Sequence, residues 1–240
     1  MRKNWLINIQ LIAIFGVVVF LYSFTSKRNG DRKIAKPTVE ILDADNPFIT
    51  PEMVNNLLIE NFGGSSTIAK VGLDLNKVEE TINKHSLIDR SEVYLSVDGR
   101  LKTVVTQKTP IARVFNNAAS FYIDYKGSKM PLSDNFSARV PLVYGDINNS
   151  YNKDFVALLK LIHEDDFLKK NIIGMEIKTD GSIIMKNRNY SYDIIFGRTI
   201  NMERKFDNYK AFFQKAVQDT LLGSYKSINL KYTTQVVCAK

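Results

Sequence analysis

The strongest hydrophobic pattern in the chain is an apolar run of twenty residues near its start, Trp5–Phe24. It contains no charged residue, and a helix of this length spans about 30 Å, the thickness of a bilayer's hydrocarbon core. Trp5 and Tyr22 mark its two ends, where aromatic rings favour the headgroup level. The pattern predicts a retained transmembrane helix. The alternative is a cleaved signal peptide, but the run exceeds the usual ~7–15 residues and no A-x-A site follows it.

Two amphipathic helices are predicted after a short strand at Thr38–Leu42. The first helix begins with Thr50 as N-cap and Pro51 at the first helical position, and Gly63–Ser66 ends it. The second begins near Asp74 and ends around His85, with its apolar residues on one face.

A β-hairpin is predicted next. The segments Glu92–Val97 and Leu101–Gln107 alternate apolar and polar residues, and Asp98-Gly99 between them is the preferred pair for a tight type I′ turn. Residues 37–109 are therefore predicted to form a β-α-α-β-β domain, in which two helices on one face of a three-stranded sheet would bury both apolar stripes.

Pro110 marks a boundary, and residues 110–240 are predicted to form a mixed α/β domain around a multi-stranded sheet. Its helices are Tyr151–His163 and Met202–Leu222, the second ended by Gly223. Its predicted strands are Ile111–Phe115, Ser120–Asp124, Met130–Leu132, Val140–Tyr144, Ile172–Ile177, Ser182–Lys186 and Tyr192–Phe196. The fold class of the whole chain is α+β.

The final segment, Ser227–Val237, alternates so regularly that it predicts one long strand. One face carries Ile228, Leu230, Tyr232, Thr234 and Val236. Such a strand is either packed within the sheet or offers its free edge to another chain. The alternative is that Tyr232 and Val236 only fill the domain core, since they share the apolar face.

The positive charge of the chain is concentrated beside the apolar run. Of the 33 Lys and Arg residues, seven lie in residues 1–36 against one acid, whereas residues 37–240 are nearly balanced. Juxtamembrane basic residues contact anionic lipid, while a nucleic-acid binder clusters them on a folded face. The charge thus argues for a bilayer and against nucleic acid. Basic residues flank the run on both sides, so charge alone leaves its orientation open.

The sequence shows no recognisable set of catalytic or metal-binding residues. His85 and His163 have no second ligand at metal spacing, and Cys238, the one cysteine, has no neighbouring histidine. Asp124 is the lone acid of an apolar strand, and such a carboxylate usually caps a turn through backbone N–H groups. We expect no enzyme activity, no metal and no cofactor, and interpret the chain as a binding protein.

Three motifs, in order, resemble those of one family. Gln107–Ala112 resembles a "Q-x-x-P-x-A" link, Tyr122–Gly127 a "hydrophobic-D-x-x-G" motif, and Ile228–Tyr232 an "I-D-L-R-Y" motif in which Asn229 replaces the usual Asp. With the anchor and the β-α-α-β-β module, which looks like a POTRA domain, the chain resembles the bacterial cell-division proteins FtsQ, called DivIB in Gram-positive bacteria.

The resemblance implies a single-pass inner-membrane protein at the division septum. Residues 1–36 would hold a short cytoplasmic N-terminus, the anchor (5–24) and a basic linker, with the POTRA-like domain (37–109) and the second domain (110–240) in the periplasm. It also implies a scaffold that binds FtsB/FtsL-like partners and helps recruit and regulate septal peptidoglycan synthesis. By the same resemblance, strand addition to a partner falls on Lys231, Tyr232, Thr233, Thr234, Gln235 and Val236.

Two other classes compete with this interpretation. A POTRA-bearing secretion or outer-membrane assembly factor would need further repeats or a barrel. An anchored periplasmic hydrolase would need the catalytic constellation that the sequence lacks.

Overall fold

A computed structural model of the protein describes residues 2–30, 35–43, 46–61, 73–96, 98–116, 119–145, 147 and 152–240. The chain divides into two compact units, residues 1–107 and 108–240.

The chain begins with one long helix, α1 (Arg2–Gly30), which contains the predicted span and extends beyond both of its ends. The side chains from Asn8 to Arg28 are not buried inside the protein, and this stretch is long and apolar enough to cross a membrane. The helix therefore fits a single-pass membrane anchor.

The rest of the first unit is a small sheet with two helices. Its elements are β1 (Ala35–Leu42), α2 (Pro51–Asn61), α3 (Leu75–Asn83), β2 (Ile88–Leu95) and β3 (Arg100–Gln107). β3 is the central strand, parallel to β1 and antiparallel to β2. Its core is made by Val54 and Leu58 of α2, Val78 and Ile82 of α3, and Leu101 and Val105 of β3. The assignment of this unit to the POTRA class stays a prediction.

Local hydrogen bonds set the starts of both helices. The Thr50 hydroxyl accepts a hydrogen bond from the Met53 N–H at 3.3 Å, and the Asp74 carboxylate accepts one from the Lys77 N–H at 3.2 Å. Both predicted N-caps are confirmed. The predicted helix end at Gly63–Ser66 lies outside the described residues.

The predicted hairpin between β2 and β3 forms, but its turn is not the tight two-residue type. The Ser96 N–H donates to the Arg100 carbonyl at 3.0 Å, and the Gly99 N–H donates to the Ser96 carbonyl at 3.1 Å. Gly99 has φ +85°, whereas Asp98 is not among the described residues with positive φ. A type I′ turn needs positive φ at both central residues, so a wider loop with glycine in the left-handed position closes this hairpin.

The second unit is built on a sheet that has nine strands within the described residues, in the order β12-β11-β10-β9-β8-β7-β4-β5-β6. Its strands are β4 (Pro110–Asn116), β5 (Ala119–Asp124), β6 (Lys129–Met130), β7 (Leu142–Gly145), β8 (Ile172–Ile177), β9 (Ile183–Asn187), β10 (Asp193–Gly197), β11 (Ser227–Asn229) and β12 (Val237–Ala239). Its helices are α4 (Lys153–Glu164), α5 (Asp166–Asn171), α6 (Met202–Gln218) and a short 3-10 helix (Leu222–Ser224).

One hydrophobic core joins the helices of this unit to its sheet. The helices contribute Phe155, Leu158, Leu159 and Ile162 of α4, Leu168 of α5, and Phe206, Tyr209 and Ala216 of α6. Alternate residues of the strands face them, among them Val114, Met175, Met185, Ile194 and Ile228. This alternation is what the sequence pattern predicts for strands with one buried face.

Two helical features differ from the predictions. Helix α5 was not predicted; it starts where the Asp165 carboxylate accepts a hydrogen bond from the Leu168 N–H at 2.9 Å. Helix α6 ends at Gln218 rather than at Leu222, and Gly223 lies in the 3-10 helix that follows. The predicted helix start at Tyr151 lies outside the described residues.

The predicted single strand Ser227–Val237 is wrong. The segment forms two short strands, because β11 stops at Asn229 and β12 returns antiparallel to it, with Ile228 opposite Cys238. The Asn229 side chain accepts a hydrogen bond from the Lys231 N–H at 3.0 Å. Such a local bond offers the backbone an alternative to the ladder and turns the chain away from the sheet.

Candidate partner-binding site

The six predicted docking residues, Lys231–Val236, lie in the connection between β11 and β12. None of them is in a strand. β12 is the last strand of the sheet and pairs with β11 alone among the described residues, so its other edge carries no strand. The connection and the free edge of β12 therefore lie together at one end of the sheet.

The main chain of this connection is tied to the sheet and to α6. The Leu230 N–H donates to the Ile195 carbonyl at 2.9 Å, which continues the pairing of β11 with β10 for one residue. The Asn208 side-chain amide of α6 donates to the Thr233 carbonyl at 3.0 Å. These bonds hold the connection although it has no partner strand.

The side chains of the connection divide between surface and core. Tyr232 is 54% exposed, whereas Leu230 is 1% exposed. Val236 is half-buried and packs against the core. The apolar face predicted for one long strand thus ends at Leu230, and Tyr232 presents its ring to solvent.

The Lys231 side chain packs against a glycine. Gly197, at the end of β10, has φ +74°, and a Cβ at that position would lie 2.8 Å from Cγ of Lys231. The Lys231 side chain therefore lies across the bare backbone of Gly197. The pKa of the exposed Asp180 carboxyl is lowered, mainly by its hydrogen bonds with Ser182, with smaller contributions from Lys231 and Arg198.

Asp124 of the "D-x-x-G" motif caps a turn, which confirms the interpretation of this lone carboxylate. Its side chain is 3% exposed, Oδ1 accepts a hydrogen bond from the Ser128 N–H at 2.7 Å, and Oδ2 lies 3.5 Å from the Lys108 ammonium. Gly127 has φ +84°, and the side chain of Val156 would be 3.0 Å from its Cβ. Both motif residues therefore stabilise the end of β5 rather than form a site.

The residues of the "Q-x-x-P-x-A" motif are also buried. In the first unit the Gln107 side-chain carbonyl accepts a hydrogen bond from the Ile49 N–H at 3.0 Å. In the second unit Pro110 and Ala112 of β4 are buried. The residues of this motif therefore contribute to packing at the end of the first unit and at the start of the second.

Burial shifts the pKa values of His85, His163 and Cys238. Burial lowers the pKa of His85, and burial together with Lys169 lowers that of His163. Burial raises the pKa of the Cys238 thiol, which disfavours the nucleophilic thiolate. In the part of the chain that the structure describes, no three His, Cys, Asp or Glu side chains lie together so as to hold a metal ion.

A protein-family model described as "FtsQ/DivIB, C-terminal related" matches residues 109–239, more than half of the chain. The chain belongs to the FtsQ/DivIB family. This is a family of non-enzymatic division scaffolds, so membership indicates a role in bacterial cell division. A comparison with curated proteins finds no match.

Three features of the site were not predicted from sequence. They are the free edge of β12 (Val237–Ala239), the hydrogen bond from the Asn208 amide, and the packing of the Lys231 side chain against Gly197. A glycine directly after an apolar strand is a signal that could have indicated Gly197. Asn208 gives no such signal, because its acceptor is 25 residues away in the sequence.

Proposed function

We propose that this FtsQ/DivIB-family protein is a membrane-anchored division scaffold that binds an FtsB/FtsL-like partner in the periplasm by strand addition. The observation that carries the proposal is the free edge of β12 at the end of the nine-stranded sheet, next to the exposed connection Lys231–Val236. In this role the protein helps recruit and regulate septal peptidoglycan synthesis.

In the proposed docking site, the sheet edge and the connection have different roles. An exposed sheet edge offers backbone N–H and C=O groups to an added strand, and these supply affinity, while side chains supply specificity. β12 provides the edge, and the connection provides the side chains, above all the ring of Tyr232. Tyrosine is enriched at binding hot spots because it combines a large apolar area with a hydroxyl.

The proposal extends to the other parts of the chain. Residues 1–36 hold a cytoplasmic N-terminus, the anchor and a basic linker. Residues 37–109 form a POTRA-like domain, and residues 110–240 form the partner-binding domain. The order of strands and helices in the first unit supports the POTRA assignment, since two helices lie between a first strand and a β-hairpin.

The test is partner binding by Tyr232→Ala and Thr234→Pro in the full-length protein. We expect Tyr232→Ala to lose about 2 kcal/mol or more of binding free energy toward the FtsB/FtsL-like pair of the same organism. Thr234→Pro should weaken binding in the same direction, because the fixed φ of proline changes the course of the connection that carries Tyr232. The melting temperature should stay close to that of the wild type, because neither residue is buried or in a strand. Purified protein in detergent and the coexpressed, purified pair would be used.

Tyr94→Ala is the matched control, because Tyr94 is 51% exposed and lies on β2 of the first unit. It should bind the pair as the wild type does. Normal binding by both docking-site variants, or their unfolding, would place the docking surface elsewhere.

A further inference from the structure

Two side chains on one face of α6 bond the main chain around the docking site. Asn208 donates to the Thr233 carbonyl at 3.0 Å. The Lys205 ammonium donates to the carbonyls of Phe196 at 3.0 Å and of Arg198 at 2.7 Å. Residues three apart are neighbours on a helix surface, so both contacts come from a single stripe of α6.

Lys205 is unusual because it is a cation that is 3% exposed. Burial lowers its pKa, and its ammonium lies 4.6 Å from the centre of the Phe196 ring. A buried ammonium is costly unless its donors are used, and here two of them bind carbonyls. Those two carbonyls flank Gly197, the residue across which the Lys231 side chain lies. Lys205 therefore fixes the surface on which Lys231 rests.

The two contacts act on the two neighbours of Tyr232. Lys231 precedes it and lies on the segment that Lys205 holds, and Thr233 follows it and is bonded by Asn208. With both neighbours fixed, the backbone of Tyr232 is held in place although the residue is exposed and outside any strand. A segment placed before binding loses less conformational freedom when a partner arrives.

We propose that Asn208 and Lys205 are positioning residues of the docking site, which hold Tyr232 ready for the partner. The inference rests on the proposed function, because it assumes that the partner binds at Tyr232. Asn208 acts directly on the connection, and Lys205 acts through Phe196–Arg198. Neither residue needs to touch the partner.

The first test follows the connection itself and needs no partner. Asn208→Ala removes the amide donor, and trypsin can cut after Lys231 only when the connection opens. We expect cleavage after Lys231 in the full-length protein to become several-fold faster, while cleavage after the exposed Lys126 is unchanged. Gln214→Ala, at an exposed position of the same helix, is the control and should leave both rates unchanged. An unaltered rate after Lys231 in Asn208→Ala overturns the proposal.

The second test measures binding of the purified periplasmic segment of the FtsB-like protein. Asn208→Ala should weaken it about three- to tenfold, as expected for the ordering of one or two side chains. The loss should lie mainly in the association rate, because the contacts with the partner are all retained. Asn208→Gln, which keeps an amide donor, should recover part of the affinity.

Tyr232→Ala is measured in the same series, so that two failures can be told apart. If Tyr232→Ala binds poorly and Asn208→Ala binds normally, the positioning role is refuted and the docking site stands. If Tyr232→Ala binds normally, the docking site is refuted and the positioning role with it. Lys205→Met gives a second variant at the other contact and should weaken binding in the same direction as Asn208→Ala.

Discussion

At the scale of single residues, two glycines with nearly the same φ allow the cost of backbone strain to be separated from the cost of a clash with a neighbouring side chain. Gly181 has φ +76° and Gly197 has φ +74°, conformations that cost an alanine about 1 kcal/mol or more. A Cβ on Gly181 meets nothing within 4 Å, whereas one on Gly197 lies 2.8 Å from Cγ of Lys231. Comparing substitutions at the two positions therefore isolates the effect of the close contact between Gly197 and the Lys231 side chain.

We predict that Gly181→Ala lowers the free energy of unfolding by about 1 kcal/mol and leaves partner binding intact. Gly197→Ala should lower it by about 2 kcal/mol and also weaken binding, because the Lys231 side chain must move. Chemical denaturation and binding of the FtsB/FtsL-like pair measure the two effects. Equal binding by the two variants would show that the position of Lys231 is unimportant.

A second prediction concerns the buried carboxylate of Asp124. Asp124→Ala leaves the Ser128 N–H without its acceptor and Lys108 without its ion pair, which should cost about 2–3 kcal/mol of stability. Asp124→Asn keeps an acceptor and should cost less, about 1–2 kcal/mol. Exposed Asp134→Asn is the control, with no change expected.

Asp124→Asn and His163→Ala should leave function largely intact in the folded protein, because no catalytic role is assigned to either residue. Cys238→Ser should do so as well, because the Cys238 side chain packs against the core and strand addition uses the backbone of β12. Loss of division in any of the three, at unchanged stability and abundance, would require an active site in addition to the scaffold.

At the scale of elements, a buried network of hydroxyls joins α6 to the sheet. The hydroxyls of Tyr192 and Tyr209 lie 2.9 Å apart, and the Asn187 side-chain amide donates to Tyr209 Oη at 3.0 Å. Burial raises the pKa of both tyrosines, so both stay neutral. Tyr209 is the central member, because it contacts the other two.

We predict that Tyr209→Phe destabilises the protein more than Tyr192→Phe. The first change leaves two buried groups without a partner and should cost about 2–3 kcal/mol, and the second should cost about 1 kcal/mol. Denaturation of both single variants and of the double variant tests this. If the double variant costs as much as the sum, the two hydroxyls do not form one network.

The elements that sequence predicted well are those whose signal is local. The hydrophobic period identified α4 and β8, and side chains within three residues of the helix starts identified the caps of α2 and α3. The prediction of one strand at the end of the chain was wrong because an alternating pattern cannot distinguish one long strand from two antiparallel strands joined by a turn. The alternation does not reveal the contacts that accompany the break, such as the bond from the Lys231 N–H to the Asn229 side chain.

At the scale of the whole molecule, two independent features fit a membrane-anchored protein with a role in cell division. The apolar stretch in α1 is long enough for a membrane, and the family match covers residues 109–239. The first follows from composition and could be predicted, although α1 (Arg2–Gly30) extends beyond both ends of the predicted span Trp5–Phe24. The partner-binding geometry could not, because it depends on contacts from α6 and β10 that meet only in the fold.

Orientation is the property of the whole molecule that neither feature determines. Basic residues lie on both sides of the span, so the Lys and Arg count does not decide which side is cytoplasmic, and large domains translocate largely regardless of flanking charge. The proposed partner binding requires both folded units to lie in the periplasm.

We therefore predict that α1 is an uncleaved anchor with the C-terminal side in the periplasm. Alkaline phosphatase, which acquires its disulfides only outside the cytoplasm, should be active when fused after Lys240. A fluorescent protein that matures only in the cytoplasm should stay dark at the same position. N-terminal sequencing of the membrane-bound protein should read from residue 1 or 2. The opposite reporter pattern would invert the topology, and a mature N-terminus near Ser26 would make the apolar run a signal peptide; either result would contradict the anchored periplasmic scaffold.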